Sequence, residues 1–499
     1  MDPQNPGITV GDIISGYEVK KRTELPEIQA FFYELAHPGT GARHIHISCQ
    51  DTENTFSVAF KTVPRDSTGV AHILEHTVLC GSRKYPVRDP FFSMLTRSLK
   101  TFMNALTASD WTMYPFATQN KKDFYNLMEV YLDAAFFPRL DRLSFKQEGH
   151  RLEFDPPAAA GDPEQLVYKG VVYNEMKGAM SSPDQVMVRS MLNALYPDTT
   201  YGFNSGGDPA RIPDLTHEQL KAFHRQHYHP SNAFFYTYGN FPLEAHLSFI
   251  QDKVLAHFDP IHPGTEVISQ PRWDTPKEMT YYYPFDENDD PSKKSQICLA
   301  WLTADIRDAL EVLSLTVLEQ VLMGNSGSPL RQALLESGLG STLADGSGYD
   351  TDNKDTMFAC GLKDADPASA DKIEKIIFDT LHSLVENGID KELVRSAIHQ
   401  IEFYRKGDPL RPTLMASNSC CAYPELVSQR GSVSALEFEA LINTLFEELA
   451  KRPFLENRSR NTFWTTPTGA ADFAPGQEYG SSRKPGSAKH CKPSKKSKP

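Results

Sequence analysis

The chain has 499 residues, 40% of them hydrophobic and 23% charged, with a formal net charge of −13 at pH 7. That length exceeds one ordinary core and predicts two or three domains of normal globular composition. The acidic balance excludes nucleic acid or an anionic membrane as the main partner, and seven cysteines at irregular spacings make no disulfide framework, which suits a reducing compartment.

The N-terminus, MDPQNPGITVGDIISGYEV, has neither the basic and apolar regions of a signal peptide nor the Arg-rich character of a transit sequence. No apolar run approaches the length of a membrane span. The expected address is the cytoplasm, with the mitochondrial matrix as the alternative if a transit peptide is missing from this chain.

Residues 42–49 (ARHIHISC) and 55–63 (TFSVAFKTV) alternate as half-buried strands, and a helix is predicted over 70–80. TFMNALTAS and WTMYPFAT read as a strand pair. Helical patterns dominate 121–137 and the region around 165–195, followed by a strand at 232–239 and an amphipathic run, PLEAHLSFIQDKVLAHF. The Pro-rich stretch 259–276 reads as a connection, with the linker proper at 266–276.

A second unit repeats this logic. Strands EMTYYYPF and QICLAWLT precede helices DALEVLSLTVLEQVLMG and PLRQALLESGLG, and a strand TMFACGL leads into two helical runs near 370–405. NSGSPL and SGLGSTLADGSG match no phosphate-binding pattern and read as turns, and the Cys420–Cys421 pair is expected to be inert. The expected fold is α+β: two homologous domains, 1–265 and 277–463, each a mainly antiparallel sheet with helices packed on one face. From Trp464 the chain carries seven Lys or Arg against two Asp or Glu and has almost no apolar periodicity, so 464–499 is expected to be a disordered basic tail.

Between residues 69 and 82 the chain reads GVAHILEHTVLCGS, two histidines and a glutamate inside an apolar segment. Asp66, Ser67 and Thr68 are expected to cap the helix start and Gly81 to end it. Val70, Ile73, Leu74 and Val78 are spread around that helix, which predicts burial. His72 and His76, four apart, lie one above the other with Glu75 beside them. Burying such groups unpaired costs roughly 2 kcal/mol or more each, and a divalent zinc ion removes that cost for the imidazoles. His-x-x-Glu-His inverts the better-known His-Glu-x-x-His, with equivalent geometry: two imidazoles bind and the glutamate reaches the water. A catalytic zinc needs a third protein ligand. Glu175, in YKGVVYNEMKGAM, is one candidate, and spacing alone leaves Glu129, Glu148 and Glu153 in competition.

STGVAHILEHTVLCGSRKYPVRDPFFSML, TFMNALTASDWTMYPFATQNKKDFYNLMEVYLDAAFFP, GVVYNEMKGAM and HYHPSNAFFYTYGNFPL closely resemble the presequence protease group of the insulinase-like (pitrilysin-type) zinc metallopeptidases, from about residue 15 to 463. The resemblance implies that His72, His76 and Glu175 ligate one zinc per chain and that Glu75 is the general base. It also implies that MNALT is an edge strand along which a peptide lies, with Asn104 and Ala105 close to the scissile bond. Phe91, Phe92, Phe102, Leu106 and Tyr114 are expected either to wall an apolar subsite or to be plain core.

The function expected on this basis is zinc-dependent endoproteolysis of short unstructured peptides, either cleaved targeting sequences or general peptide debris. The alternative is a non-catalytic zinc- or peptide-binding scaffold of the same fold. Members of the family have about twice this length, and their second half supplies an Arg and a Tyr near the scissile carbonyl. A complementary C-terminal half is therefore an expected partner, and weak activity is expected without it. Residues 463–469 match what a one-base slip makes of Phe-Leu-Asp-Asn-Pro-His-Arg, a common continuation in the family, so the tail is read as a frameshift product or, alternatively, as a genuine basic tail.

Overall fold

Aromatic and β-branched runs form strands here because alternate side chains meet two different apolar layers. The computed structural model describes residues 2, 4–155, 164–283, 292–406, 438–451, 453–464 and 469–475. Strands β1 (Ile13–Ile14), β2 (Tyr17–Leu25), β3 (Ala30–Ala36), β4 (Arg43–Ser48) and β5 (Asn54–Lys61) lead into helix α1 (Val70–Val78) and then α2 (Pro90–Arg97). Next come β6 (Lys100–Met103), β7 (Leu106–Thr107), β8 (Trp111–Thr118), α3 (Lys121–Phe136), α4 (Arg142–Glu148) and a hairpin of β9 (Arg151–Asp155) and β10 (Gln165–Lys169). Helices α5 (Val171–Ala179), α6 (Pro183–Leu195) and α7 (His217–His227), strand β11 (Ala233–Gly239) and helix α8 (Leu243–Lys253) complete the first unit.

Its sheet runs β1-β2-β3-β4-β11-β5-β8-β6, with β7 also paired to β8. Among the described residues of this sheet, only β11 alongside β4 is a parallel pairing. Phe56, Val58 and Phe60 of β5 enter the main core with Leu74 of α1 and Leu127 of α3, while Ala59 joins Ile45, Ile47, Met113 and Tyr236 on the opposite face. Both predicted strands are thus buried on both faces rather than half-buried. The polar alternates that suggested a wet face, His44 and His46, lie inside, each 2.8 Å from the Thr237 hydroxyl. The helical pattern around 165–195 also needs correction: its first five residues are β10, whose ladder to β9 overrides the local periodicity.

The stretch 259–276 has no regular element before β12, yet it is held in place: Thr265 donates to Asn232, and the Gln270 amide donates to Asp355 at 2.7 Å. The second unit contains β12 (Lys277–Tyr283), β13 (Ser295–Asp305), α9 (Ala309–Met323), α10 (Pro329–Glu336), β14 (Thr342–Leu343), β15 (Gly348–Asp350) and β16 (Asp355–Ala365). Helices α11 (Ala370–Asn387), α12 (Lys391–Lys406), α13 (Phe438–Lys451) and α14 (Phe454–Trp464) follow, and β17 (Gly469–Pro475) ends the described chain. Along β13, Ile297, Leu299 and Trp301 pack under this unit's own helices. The alternates Cys298, Ala300 and Leu302 meet Met187, Met191 and Leu195 of α6, which so joins the two units.

The two sheets share one wiring. β11 lies parallel to β4 and antiparallel to β5, and β17 lies parallel to β12 and antiparallel to β13. This α+β architecture agrees with the expected fold class, although the second sheet takes its third matching strand, β17, from beyond the 277–463 expected for the second domain. The predicted lack of order after Trp464 differs at 469–475, where the slot between β12 and β13 takes a strand. Ladder hydrogen bonds come from the main chain, so a segment without apolar periodicity can fill such a slot. Residues 465–468 and 476–499 of that tail, and the Cys420–Cys421 pair, lie outside the described residues.

Several core histidines are held neutral. Burial pushes His46, His224 and His227 down to about 4 and keeps His44 and His246 well below their usual value. In an unfolded chain they titrate near about 6.5, so between that pH and about 4 the unfolded state binds more protons and stability falls as pH drops. Asp110, lifted to about 6 by burial, works in the opposite sense, so the test compares slopes. The urea midpoint should decline from pH 7.5 to pH 5. His224→Gln, which can still donate to the Ala135 carbonyl 2.9 Å away, should flatten that decline. An unchanged slope would mean that His224 is not neutral in the folded state.

Candidate metal centre

Helix α1 begins at Gly69, whose φ of +71° is left-handed and whose added Cβ would stand 2.8 Å from both the Gly206 oxygen and the Gly207 Cα. The helix start is therefore pressed against the loop 204–208. Asp208 N–H donates to the Ser67 carbonyl at 2.8 Å and Asn204 N–H to the Ser67 hydroxyl at 3.1 Å. The expected cap differs: Asp66 accepts from the Thr68 amide and hydroxyl, no side chain caps the helix, and the helix stops at Val78, three residues before Gly81. Docking on the loop takes over the anchoring role predicted for the cap.

One turn apart, the His72 and His76 rings stand 5.0 Å between centroids at 78°. His72 Nδ1 lies 3.1 Å from the Gly206 carbonyl, and His76 Nδ1 lies 3.3 Å from Glu148 Oε2 at the end of α4. A carbonyl or carboxylate oxygen only accepts, so both Nδ1 atoms carry the hydrogen and both Nε2 lone pairs are free. Those lone pairs meet at Glu175 of α5, whose Oε2 is 3.7 Å from His72 Nε2 and 3.9 Å from His76 Nε2. Ligands about 2.1 Å from a tetrahedral zinc stand about 3.4 Å apart, so this spacing needs only a small contraction. Among the described residues, His72, His76 and Glu175 are the group of three that could hold a metal ion.

Long-range packing places Glu175 there. A Cβ on Gly170, which precedes α5, would stand 2.0 Å from the Gly149 oxygen, so only glycine lets α5 start against the end of α4. Met176 and Val172 bury the inner face of α5, and Glu175 is left with 54% of its side chain exposed beside the imidazoles. The competing carboxylates are engaged elsewhere. Glu129 accepts from Lys84 at 2.5 Å and Lys253 at 2.7 Å; these contacts and the Tyr85 hydroxyl outweigh burial and take it down to about 2. Glu153 pairs with Arg151 and Lys169 in the β9–β10 hairpin. Glu148 is the carboxylate behind His76. Burial pushes His76 down, but the Glu148 hydrogen bond and the charges of Glu75, Glu148 and Glu175 leave its pKa raised overall. Burial likewise pushes Glu148 up, and His76 overcomes it.

Glu75 is 7% exposed, and its Oε2 accepts a 2.5 Å hydrogen bond from the Thr107 hydroxyl on β7. β6 and β7 line the sheet margin with a break at Asn104–Ala105. The Asn104 amide donates to the Pro115 carbonyl at 3.0 Å, its carbonyl accepts from the Tyr131 hydroxyl at 3.0 Å, and its side chain accepts from the Ala105 amide at 3.0 Å. The apolar set divides: Phe91 and Tyr114 are core, whereas Phe92, Phe102 and Leu106 are exposed. Sequence reasoning missed Thr107 and Gly206, since a threonine in a strand and a glycine in a loop carry no signal of their own. It weighed Glu148 only as a ligand.

Glu148→Gln keeps a hydrogen-bond acceptor behind His76 but removes the charge that favours an electron-rich imidazole. It should weaken Zn2+ or Co2+ binding by roughly 10-fold to 100-fold, measured by competition with a chromophoric chelator. Equal affinity in the variant would remove Glu148 from any role at the metal.

Against this geometry, the family described as Insulinase (Peptidase family M16) matches residues 63–189, which contain α1, the sheet margin and Glu175. The description Peptidase M16 inactive domain matches residues 214–401. The protein named Presequence protease, mitochondrial, from Xenopus tropicalis is 47% identical over 397 residues, 79% of this chain and 38% of that protein. The protein of the same name from Schizosaccharomyces pombe is 40% identical over 466 residues, 92% of this chain and 47% of that protein. This chain thus spans less than half the length of either relative. A solved protease from Helicobacter pylori shares the fold with a TM-score of 0.67 at 16% identity, over 89% of this chain and 99% of that one. Sequence and fold together place the chain in the insulinase family, peptidase family M16, among its presequence-protease-type members.

Proposed function

We propose that the chain acts as a zinc-dependent endopeptidase on short unstructured peptides, with one zinc held by His72, His76 and Glu175. The observation that carries this reading is the convergence of two free imidazole lone pairs and one carboxylate beside Glu75. A bound zinc supplies Lewis acidity for a peptide carbonyl and acidifies water at the site. Glu75 accepts the proton of that water and passes it to the departing amine. Among the described residues no strand lies outside β6 and β7. An extended peptide added there gains main-chain hydrogen bonds with little demand on its side chains, so specificity is broad. Asn104 and Ala105 sit beside the scissile bond in this arrangement, and Phe92, Phe102 and Leu106 offer apolar subsite surface.

The substrates are presequence-type peptides or general peptide debris, and a complementary C-terminal half is a further partner. The mitochondrial names of the relatives favour the mitochondrial alternative over the cytoplasm. No described helix is long and apolar enough to cross a membrane.

Digestion of an unstructured peptide by the purified chain, with and without chelator and with and without a relative's C-terminal half, tests the reading. Chelator-sensitive cleavage and about one zinc per chain are expected; peptide binding without cleavage in every arm would leave a scaffold instead. Glu75→Gln keeps the side-chain shape but cannot take the proton. Zinc should stay bound while the rate falls by roughly 10² or more, and near wild-type cleavage would exclude Glu75 as the base. Glu175→Gln should lose zinc affinity while Glu129→Gln keeps it, as read by zinc content after dialysis. Equal retention would remove Glu175 from the ligand set.

A further inference from the structure

Glu75 does not stand alone in its pocket. Thr107 on β7 and Thr112 on β8 are direct cross-strand partners, with hydroxyls 3.3 Å apart. The Thr112 hydroxyl is in turn 2.9 Å from that of Thr62, and both residues are fully buried. Each hydroxyl has one proton to give. The Thr107 hydroxyl donates to Glu75 Oε2 at 2.5 Å, so its proton is committed there. In its contact with Thr112 the Thr107 hydroxyl therefore accepts, while Thr112 is shared among Thr107, Thr62 and the Tyr228 hydroxyl. A Thr112 proton directed at Thr107 reinforces the bond from Thr107 to Glu75.

The register makes this specific. A one-residue slip of β7 against β8 would turn the Thr107 side chain to the other face of the sheet and break the chain. With Oε2 occupied, the other carboxylate oxygen of Glu75 is the one left to take a proton. The bond also ties the proposed base to the strand along which a peptide would lie.

We propose that Thr107 is a positioning residue: through the Thr62–Thr112–Thr107 chain it fixes the orientation of the Glu75 carboxylate and so sets the rate of proton transfer without contributing to peptide affinity. This rests on the peptidase reading above. A hydrogen bond to a charged group is worth enough to change a rate roughly 10-fold or more when it acts only on the reacting geometry.

The test uses the full chain, alone and with the C-terminal half of a relative, and compares wild type, Thr107→Val, Thr107→Ser, Thr112→Val, Glu75→Gln and the double variant Glu75→Gln/Thr107→Val. Thr107→Val should lower kcat roughly 10-fold or more while KM stays within about twofold and zinc content is unchanged. Thr107→Ser should recover most of the rate, and Thr112→Val should fall between. In the Glu75→Gln background Thr107→Val should cost nothing further, because the two residues act as a unit. Crystals of Thr107→Val supply a readout independent of turnover: the Glu75 carboxylate should leave its wild-type orientation. Full kcat in Thr107→Val, an equal loss in the Glu75→Gln background, or an unmoved Glu75 in the crystals each overturns the proposal. Absence of chelator-sensitive cleavage in wild type defeats the peptidase reading instead, and the crystals then decide the orientation of Glu75 alone.

Discussion

Everything at the candidate centre depends on backbones that approach more closely than a side chain would allow. Gly69 lies against Gly206 and Gly207, and Gly170 lies against Gly149. The first contact seats the N-terminus of α1 on the loop whose Gly206 carbonyl meets His72. The second lets α5 start beside the end of α4, so that Glu148 reaches His76 from behind while Glu175 reaches the Nε2 side of both imidazoles. A methyl group at Gly170 would collide with the Gly149 carbonyl and force α4 and α5 apart. A displacement of even 1 Å at either helix is large against the few tenths of an ångström within which metal–ligand distances are held.

The same packing explains how an apolar helix tolerates its polar residues. Val70, Ile73, Leu74 and Val78 anchor α1 in the core, which leaves His72, Glu75 and His76 in surroundings where an unpaired group costs roughly 2 kcal/mol or more. Each of the three has a partner: a backbone carbonyl, a hydroxyl and a carboxylate. None of these partners uses an imidazole Nε2. The hydrogen bonds that make burial tolerable are therefore also those that aim the remaining lone pairs at Glu175.

Much of this was legible in the sequence, for physical reasons that differ from element to element. Both histidines and Glu75 announce themselves, because a helix places positions four apart on one face whatever surrounds it. Glu175 does not, since its meeting with α1 is made by a glycine contact that no periodicity encodes, and only family resemblance separated it from Glu129, Glu148 and Glu153. Thr107 was invisible for a similar reason: its meaning lies in a cross-strand register with Thr112 and in the rotamer of a residue 32 positions away. β10 was misread because its five residues take their strand from β9 alone. The alternation in β4 was read correctly as a strand but wrongly as half-wet, because His44 and His46 fold inward onto Thr237. The strand at 469–475 depends on a slot between β12 and β13, which no local pattern records.

The repeat itself separates what makes the fold from what makes the chemistry. After the second strand of each matching set comes a buried helix: α1 after β5 in the first unit, and α9 after β13 in the second. Both bury apolar residues against their own sheet. In α9, however, Leu313, Leu315, Val317, Leu318, Val321 and Leu322 fill the core, and no histidine occurs in that helix. The same strand wiring thus forms with or without donor side chains on this helix, as expected where apolar periodicity and main-chain pairing specify the fold and a few residues grafted on it specify the site. The second unit also packs against the first: α6, which follows closely on the helix that carries Glu175, shares an apolar cluster with Cys298, Ala300, Met357 and Ala359 of the second sheet. A unit without donors of its own on that helix thus still packs against the element next to the one that supplies Glu175.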